Sequence, residues 1–275
     1  AAAFLVKMPA FPLHGWMPDA YRAAPLPALA VFSAVLSKVG AYGFLRVVLP
    51  IMPDATELFQ TTILVLALAT IIYGSVMAFT KLDLRLILGF SSVAQLGFIT
   101  AGIFALNTTG AEGAVLQMVN HGLVVVPAFL IVALIAERTG SEKLGGMGGL
   151  AKRAPVLAVI FLIVTLGTLA MPGSANFIGE FFILNGLFEF NVAIAIIAST
   201  GVAMAAFYAL RMYQLTMHNP LPEGIKSIEI SLRDGLVIVP MVLIIVVLAF
   251  SPQLIIHASE PAVDSTVTSS REAAQ

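Results

Sequence analysis

Lys7, Lys38, His121 and Glu180 can each hold or pass a proton, and all four stand in apolar stretches where such groups are costly to keep. The stretch VFSAVLSKVGAYGFLR, Val31 to Arg46, has Lys38 at its middle. About twelve residues separate Lys38 from either end of its apolar run, roughly 18 Å along a helix axis, which exceeds the reach of a snorkelling stem. Glu180 follows MPGSANFIG, where Pro172 and Gly173 end one half of an apolar run before another begins. Lys7 precedes Pro9 in AAAFLVKMP, a second apolar run broken by proline. A charge at the centre of a bilayer costs about 2.5–3.5 kcal/mol on insertion scales. Three such charges therefore point to a use, and intramembrane charges line ion pathways more often than they serve packing.

Neutral polar groups lie between them. Gln117 and His121 are four residues apart, so they share one helix face, and Ser91 and Gln95 repeat the spacing in the preceding run. Such pairs also act as interhelical glue, a reading that stays open for Ser91 and Gln95. His121 has a reference pKa near ~6.5 and is read as a relay. Together with water and hydroxyls, Lys, His and Glu can hand a proton along. The set makes a poor redox site: the sequence has no paired-His haem arrangement, dinucleotide fingerprint or nucleophile elbow. KLGGMGGLAKR, Lys143 to Arg153, lacks the phosphate-loop spacing and reads as a flexible connection. His14, a supporting candidate, stands with Trp16 in the span-end segment PLHGWMPDAYR, and His218 and His257 fall at span ends.

The elements that position these residues are membrane helices. The chain is 59% hydrophobic and 11% charged, with mean hydropathy +1.00, against roughly 25% charged for a soluble domain. Its apolar runs approach the ~20 residues that cross ~30 Å of hydrocarbon. They give a partial helix over 1–18, spans over 26–49, 58–80, 86–106 and 113–136, a broken span over 155–188, and further spans over 191–217 and 234–257. Residues 258–275 read as a polar, solvated C-terminal tail, and residue 1 as the middle of a longer protein. A formal net charge of −1 gives no reason to expect nucleic acid, and with no cysteine there is no thiolate site. Of 14 Lys and Arg, ten occupy alternate connections: Arg22, Lys81, Arg85, Arg138, Lys143, Lys152, Arg153, Arg211, Lys226 and Arg233. The intervening connections have none, with Arg46 at the outer end of a span and Arg271 in the tail. By the positive-inside rule this alternation puts the C-terminus outside, in a bacterium the periplasm.

These residues resemble the antiporter-like subunits of respiratory complex I, of multisubunit sodium/proton antiporters and of membrane-bound hydrogenases. FLVKMPAFPLHGWMPDAYRAAP looks like the family's broken helix with its lysine, and VLSKVGAYGFLR like the helix with the second lysine. GFSSVAQLGF, MVNHGL and LGTLAMPGSANFIGEFFIL resemble the polar-centred helix, the histidine helix and the second broken helix, in the family's order from Phe4 to about Tyr213. The resemblance implies an all-α polytopic fold with inverted helical repeats and two broken transmembrane helices, of which this chain is the C-terminal portion. Glu180, where most branches have Lys, points to the branch similar to subunit M. The implied activity is proton translocation by a non-redox subunit of an NADH:quinone oxidoreductase in a bacterial inner membrane. FMN, iron–sulfur clusters and quinone belong to partner subunits, and neighbouring antiporter-like subunits are the expected partners. By position, Lys7 would be the central lysine, Lys38 the connecting one, His121 a relay and Glu180 the exit group. Gln95 stands where many relatives have histidine, and it cannot titrate. Rival readings are a sodium/proton antiporter subunit and a substrate transporter with a midplane site at the broken helices; a plain scaffold leaves Lys38 unexplained.

Overall fold

The computed structural model describes residues 1–220 and 228–273, with side chains through residue 268; Lys226 and the side chain of Arg271 lie outside the described residues. The described residues form helices α1 (Ala2–Lys7), α2 (Met17–Ala23), α3 (Leu26–Ile51), α4 (Pro53–Thr80), α5 (Leu84–Phe104) and α6 (Thr108–Thr139). They continue as α7 (Pro155–Thr168), α8 (Ala175–Phe190), α9 (Val192–Met217), α10 (Leu232–Phe250) and α11 (Gln253–Ala273). Six of these, α3–α6, α9 and α10, are long and apolar enough to cross a membrane. The chain is an all-α polytopic membrane protein with two interrupted helices, one between α1 and α2 and one between α7 and α8.

Local chemistry sets the helix ends. The side chains of Asp83, Asn107 and Asn191 accept backbone N–H bonds at the starts of α5, α6 and α9, and Ser231 and Asp234 form a reciprocal capping box on α10. Gly140, at φ +71°, ends α6 in the left-handed region that glycine adopts without penalty.

Helix α5 lies at the centre, with every residue of its apolar window buried inside the chain. Close approach around it depends on glycines. A Cβ at Gly186 of α8 would fall 2.5 Å from backbone atoms of Gly110 of α6, and one at Gly102 of α5 would fall 2.7 Å from Gly110 O. Small residues at such crossings let backbones meet where no hydrophobic drive operates. The outward faces of α4, α9 and α10 expose large apolar side chains such as Leu58, Val65, Phe207 and Leu236.

Hydrogen bonds gather the connections into two ends. At one, Arg85 reaches the Tyr21, Arg22 and Ala24 carbonyls and pairs with Glu142, Arg211 donates to Phe79 O and Lys81 O, and Arg138 bonds the Ile228 and Glu229 carbonyls. Among the described residues, the basic side chains of the alternate connections collect at this end. At the other, Gln60 donates to Phe104 O, Asn107 to Gly186 O and Arg46 to Thr266.

Thr266 belongs to α11, so the solvated tail expected over 258–275 is corrected: the segment is helical through Ala273. Val263 and Val267, four residues apart, are 5% and 2% exposed and share a face with buried Thr266. Two valines and a threonine on one stripe suffice to seat a helix whose average composition is polar.

Candidate functional site

Helix α3 is not a regular α-helix around Lys38. Its segments Phe32–Leu36 and Phe44–Val48 are π-helical, and Ser37 N–H reaches back five residues to Phe32 O. Such wide turns occur often at functional sites. Here Ser33 O instead accepts from Ser37 Oγ at 2.7 Å and from Lys38 Nζ at 2.7 Å. Lys38, 8% exposed, also lies 2.7 Å from Nδ1 of His121 on α6, itself 2% exposed. At that distance one proton can be shared between the amine and the imidazole. Ser33 Oγ continues the polar line to Ser92 of α5 at 3.0 Å.

One turn from His121 on the same helix face, Gln117 begins a second group. Its Nε2 donates to Gln95 Oε1 at 2.6 Å and lies 3.4 Å from Glu180 Oε1, while Gln95 Nε2 donates to Glu180 Oε1 at 2.7 Å. All three side chains are at most 2% exposed. Glu180 arrives there because α7 stops at Thr168 and the chain turns through Ala170 at φ +51° and Gly173 at φ +91° before α8 starts. Asn120 Nδ2 holds the start of α8 by donating to Ala175 O at 2.8 Å. Gly179 admits the crossing: a Cβ there would meet Gln117 Oε1 at 2.5 Å.

Several buried polar atoms at this crossing have no partner, among them Glu180 Oε2, Gln117 Oε1, Asn120 Oδ1, both side-chain atoms of Asn176, and the Tyr208 hydroxyl. Tyr208 of α9 is buried in the same region, and its hydroxyl makes no hydrogen bond. An unpaired buried polar atom costs about 1–3 kcal/mol when dry, and buried water is the common way such groups are satisfied.

Outside the spans, Glu229 positions the broken helix. Its carboxylate accepts from Val156 and Leu157 N–H at 3.0 Å each, capping the start of α7, where Ala154 offers no side-chain cap. Burial pushes its carboxyl upward, but hydrogen bonds from Ile230, Val156 and Leu157 N–H and the Arg138 guanidinium outweigh this and hold it below its ordinary value.

The structure thus brings Lys38 to His121, and Gln117 and Gln95 to Glu180. Ser91 is buried beside them. Lys7 is not in the buried set: it is exposed at the end of α1. Its helix nevertheless seats on α3 near Lys38, with Met8 and Phe4 filling the space left by Gly40 and Gly43. Pro9 is buried in the first interruption, whereas Pro172 and Gly173 are exposed at the second. His14 is not at a free span end: it is buried, stacked on Phe11 and tilted against Tyr73, with Nδ1 unpaired. Ser33, Asn120, Asn176 and Tyr208 were not singled out from the sequence. Asn176, polar within the proline-broken run, was the one with a legible signal.

A family model described as NADH:quinone oxidoreductase/Mrp antiporter, transmembrane, matches residues 1–216. The NADH-quinone oxidoreductase subunit M of Rhodobacter capsulatus is 38% identical over 264 residues, 95% of this chain and 52% of that protein. Its counterpart from Mycobacterium tuberculosis is 37% identical over 268 residues, 97% and 48%. The chain thus spans about half the length of the curated relatives it matches. Among solved structures, a chain of respiratory complex I from Thermus thermophilus with bound NADH superposes with TM-score 0.92 at 29% identity, over 97% of this chain and 57% of that one. The Mrp complex from Dietzia sp. DQ12-45-1b gives 0.89 at 20% identity, over 99% and 59%, a likeness of fold.

Proposed function

This chain belongs to the NADH:quinone oxidoreductase/Mrp antiporter transmembrane family, and we propose that it forms the second half of a subunit that carries protons across a bacterial inner membrane within an NADH:quinone oxidoreductase. The observation that carries the reading is the buried line from Lys38 and His121 through Gln117 and Gln95 to Glu180. Lys38 and His121 share a proton at 2.7 Å, and an opposite or like charge approaching Lys38 from the α1 side biases which of them holds it. Gln117 and Gln95 do not titrate. They orient Glu180, and water held by the unpaired atoms beside them carries the proton across that gap. Moving one charge against 100 mV takes about 2.3 kcal/mol, so the driving force comes from flavin, iron–sulfur and quinone chemistry in partner subunits. Neighbouring antiporter-like subunits share the work, and the C-terminal helix α11 lies on the periplasmic side, opposite the basic end.

The test is proton pumping by inverted membranes energised with NADH, comparing wild type with Glu180→Gln and verifying assembly on native gels. Loss of the gradient in an assembled complex is expected. An undiminished gradient would reduce Glu180 to a packing residue and sink the path.

A further inference from the structure

Helix α10 leaves a groove open along one side of α6 at the basic end of the molecule. Arg138 ties the two helices at its top by pairing with Asp234 and bonding the Ile228 and Glu229 carbonyls. Beside this clamp, Leu130, Leu134 and Glu137 of α6 face Arg233, Val237 and Ile238 of α10 across a cavity of 470 Å³. That is within the ~300–1,000 Å³ typical of small-molecule sites.

Both walls change character in the same direction. On α6, Leu130, Leu134 and Glu137 follow one stripe, dropping about 10 Å from the charged end to the apolar one. On α10, Arg233 stands one turn above Val237. The groove is therefore charged at the membrane boundary and apolar below it, the profile of an amphiphile rather than of a water-soluble ligand. The charges at its mouth are balanced. Asp234 is engaged by Arg138, whereas Glu137 and Arg233 are both exposed, and no ion pair joins them among the described residues.

One anion and one cation at the mouth of an apolar slot match a zwitterionic headgroup. We propose that this groove binds a phosphatidylethanolamine molecule of the leaflet at the basic end, with Arg233 on the phosphate, Glu137 on the ammonium and an acyl chain between α6 and α10. A guanidinium is the side chain best suited to phosphate oxygens. The primary ammonium donates hydrogen bonds to Glu137 that a choline headgroup cannot, and an anionic headgroup would leave Glu137 facing negative charge. This site stands apart from the proton path and does not depend on it.

The experiment uses the assembled complex in nanodiscs with a phosphatidylethanolamine carrying a photoactivatable acyl chain, and reads adducts by peptide mass spectrometry. Adducts on peptides covering 128–138 and 232–240 should exceed those on the lipid-facing Leu58–Val65 stretch of α4 at least fivefold. Unlabelled phosphatidylethanolamine should displace them about tenfold better than phosphatidylcholine or phosphatidylglycerol. Glu137→Gln should abolish that preference, and Leu134→Trp, which fills the slot, should remove the adducts while the complex still assembles. Even labelling of all exposed faces, equal competition by the three lipids, or cross-linking of the groove to a neighbouring polypeptide would each overturn the proposal.

Discussion

Gln95 is the link most open to a decisive test, because it joins two groups and cannot itself carry a proton. Its side chain donates to Glu180 Oε1 at 2.7 Å and accepts from Gln117 at 2.6 Å. Leucine at 95 matches its bulk and removes both bonds. A hydrogen bond to a charged group contributes about 1.5–3 kcal/mol, and a buried amide left without a partner costs about 1–3 kcal/mol more. At ~1.4 kcal/mol per factor of ten, losing about 1.5–3 kcal/mol slows the step that needs this contact by one to two orders of magnitude. The assay follows gradient formation and NADH oxidation in the same inverted vesicles, with assembly measured in parallel. Gln95→Leu should pump at least tenfold more slowly in an assembled complex. Gln95→His, which keeps a donor and an acceptor and adds a titratable ring, should stay within a few-fold of wild type. Pumping at the wild-type rate by assembled Gln95→Leu would refute the reasoning: the amide would then be packing, and the proton would travel past it by Ser91 and Tyr208.

Two further predictions concern the scaffold. Gly173 sits at φ +91° with nothing within 4 Å of an added Cβ, so Gly173→Ala tests backbone strain alone; a cost of about 1–2 kcal/mol is expected, read as a lowered Tm of the purified complex, and an unchanged Tm would remove the turn from the account. The Glu229 carboxyl is held below its ordinary value in the folded chain, so its contribution is complete above the ordinary carboxylate pKa of about 4.3 and is lost as pH falls through the lowered folded value. Glu229→Gln should therefore lower Tm at pH 7 and flatten its decline below pH ~4.5; parallel Tm–pH curves for the two proteins would contradict that.

What the sequence made legible follows from where its physics is local. Lys38 and Glu180 stood out because a charge in a twenty-residue apolar run has few innocent explanations, and the Pro172–Gly173 break was visible because those residues have specific backbone consequences. The spacing of Gln117 and His121 put them on one face, and in the structure both side chains are buried and in contact with polar groups of neighbouring helices. Other features needed three dimensions. The π-helical turns that free Ser33 O for Lys38 leave no pattern in residue types, since neither Phe32–Leu36 nor Phe44–Val48 contains proline or a run of small polar residues. The seat of α11 rests on a short stripe set in an otherwise polar segment, so composition averaged it away. His14 looked like a boundary residue because its aromatic partner Tyr73 lies 59 positions along the chain.

Gln95 shows the limit most clearly. Read alone, a glutamine where a histidine is expected looks like a break in a relay, because only titratable groups can be scored from a list of residues. In the folded chain it is the residue that connects, since it binds Gln117 with one end and Glu180 with the other. A relay needs two kinds of part: groups that change protonation, and groups that hold those few at fixed distances while water bridges the remainder. The first kind is recognisable by type. The second is recognisable only by geometry, and on the proposed path its members (Gln95, Gln117 and Asn120) meet at crossings where Gly110, Gly179 and Gly186 let the backbones approach. Exchanging one of those glycines for alanine would therefore disturb the path without touching a single group that carries a proton.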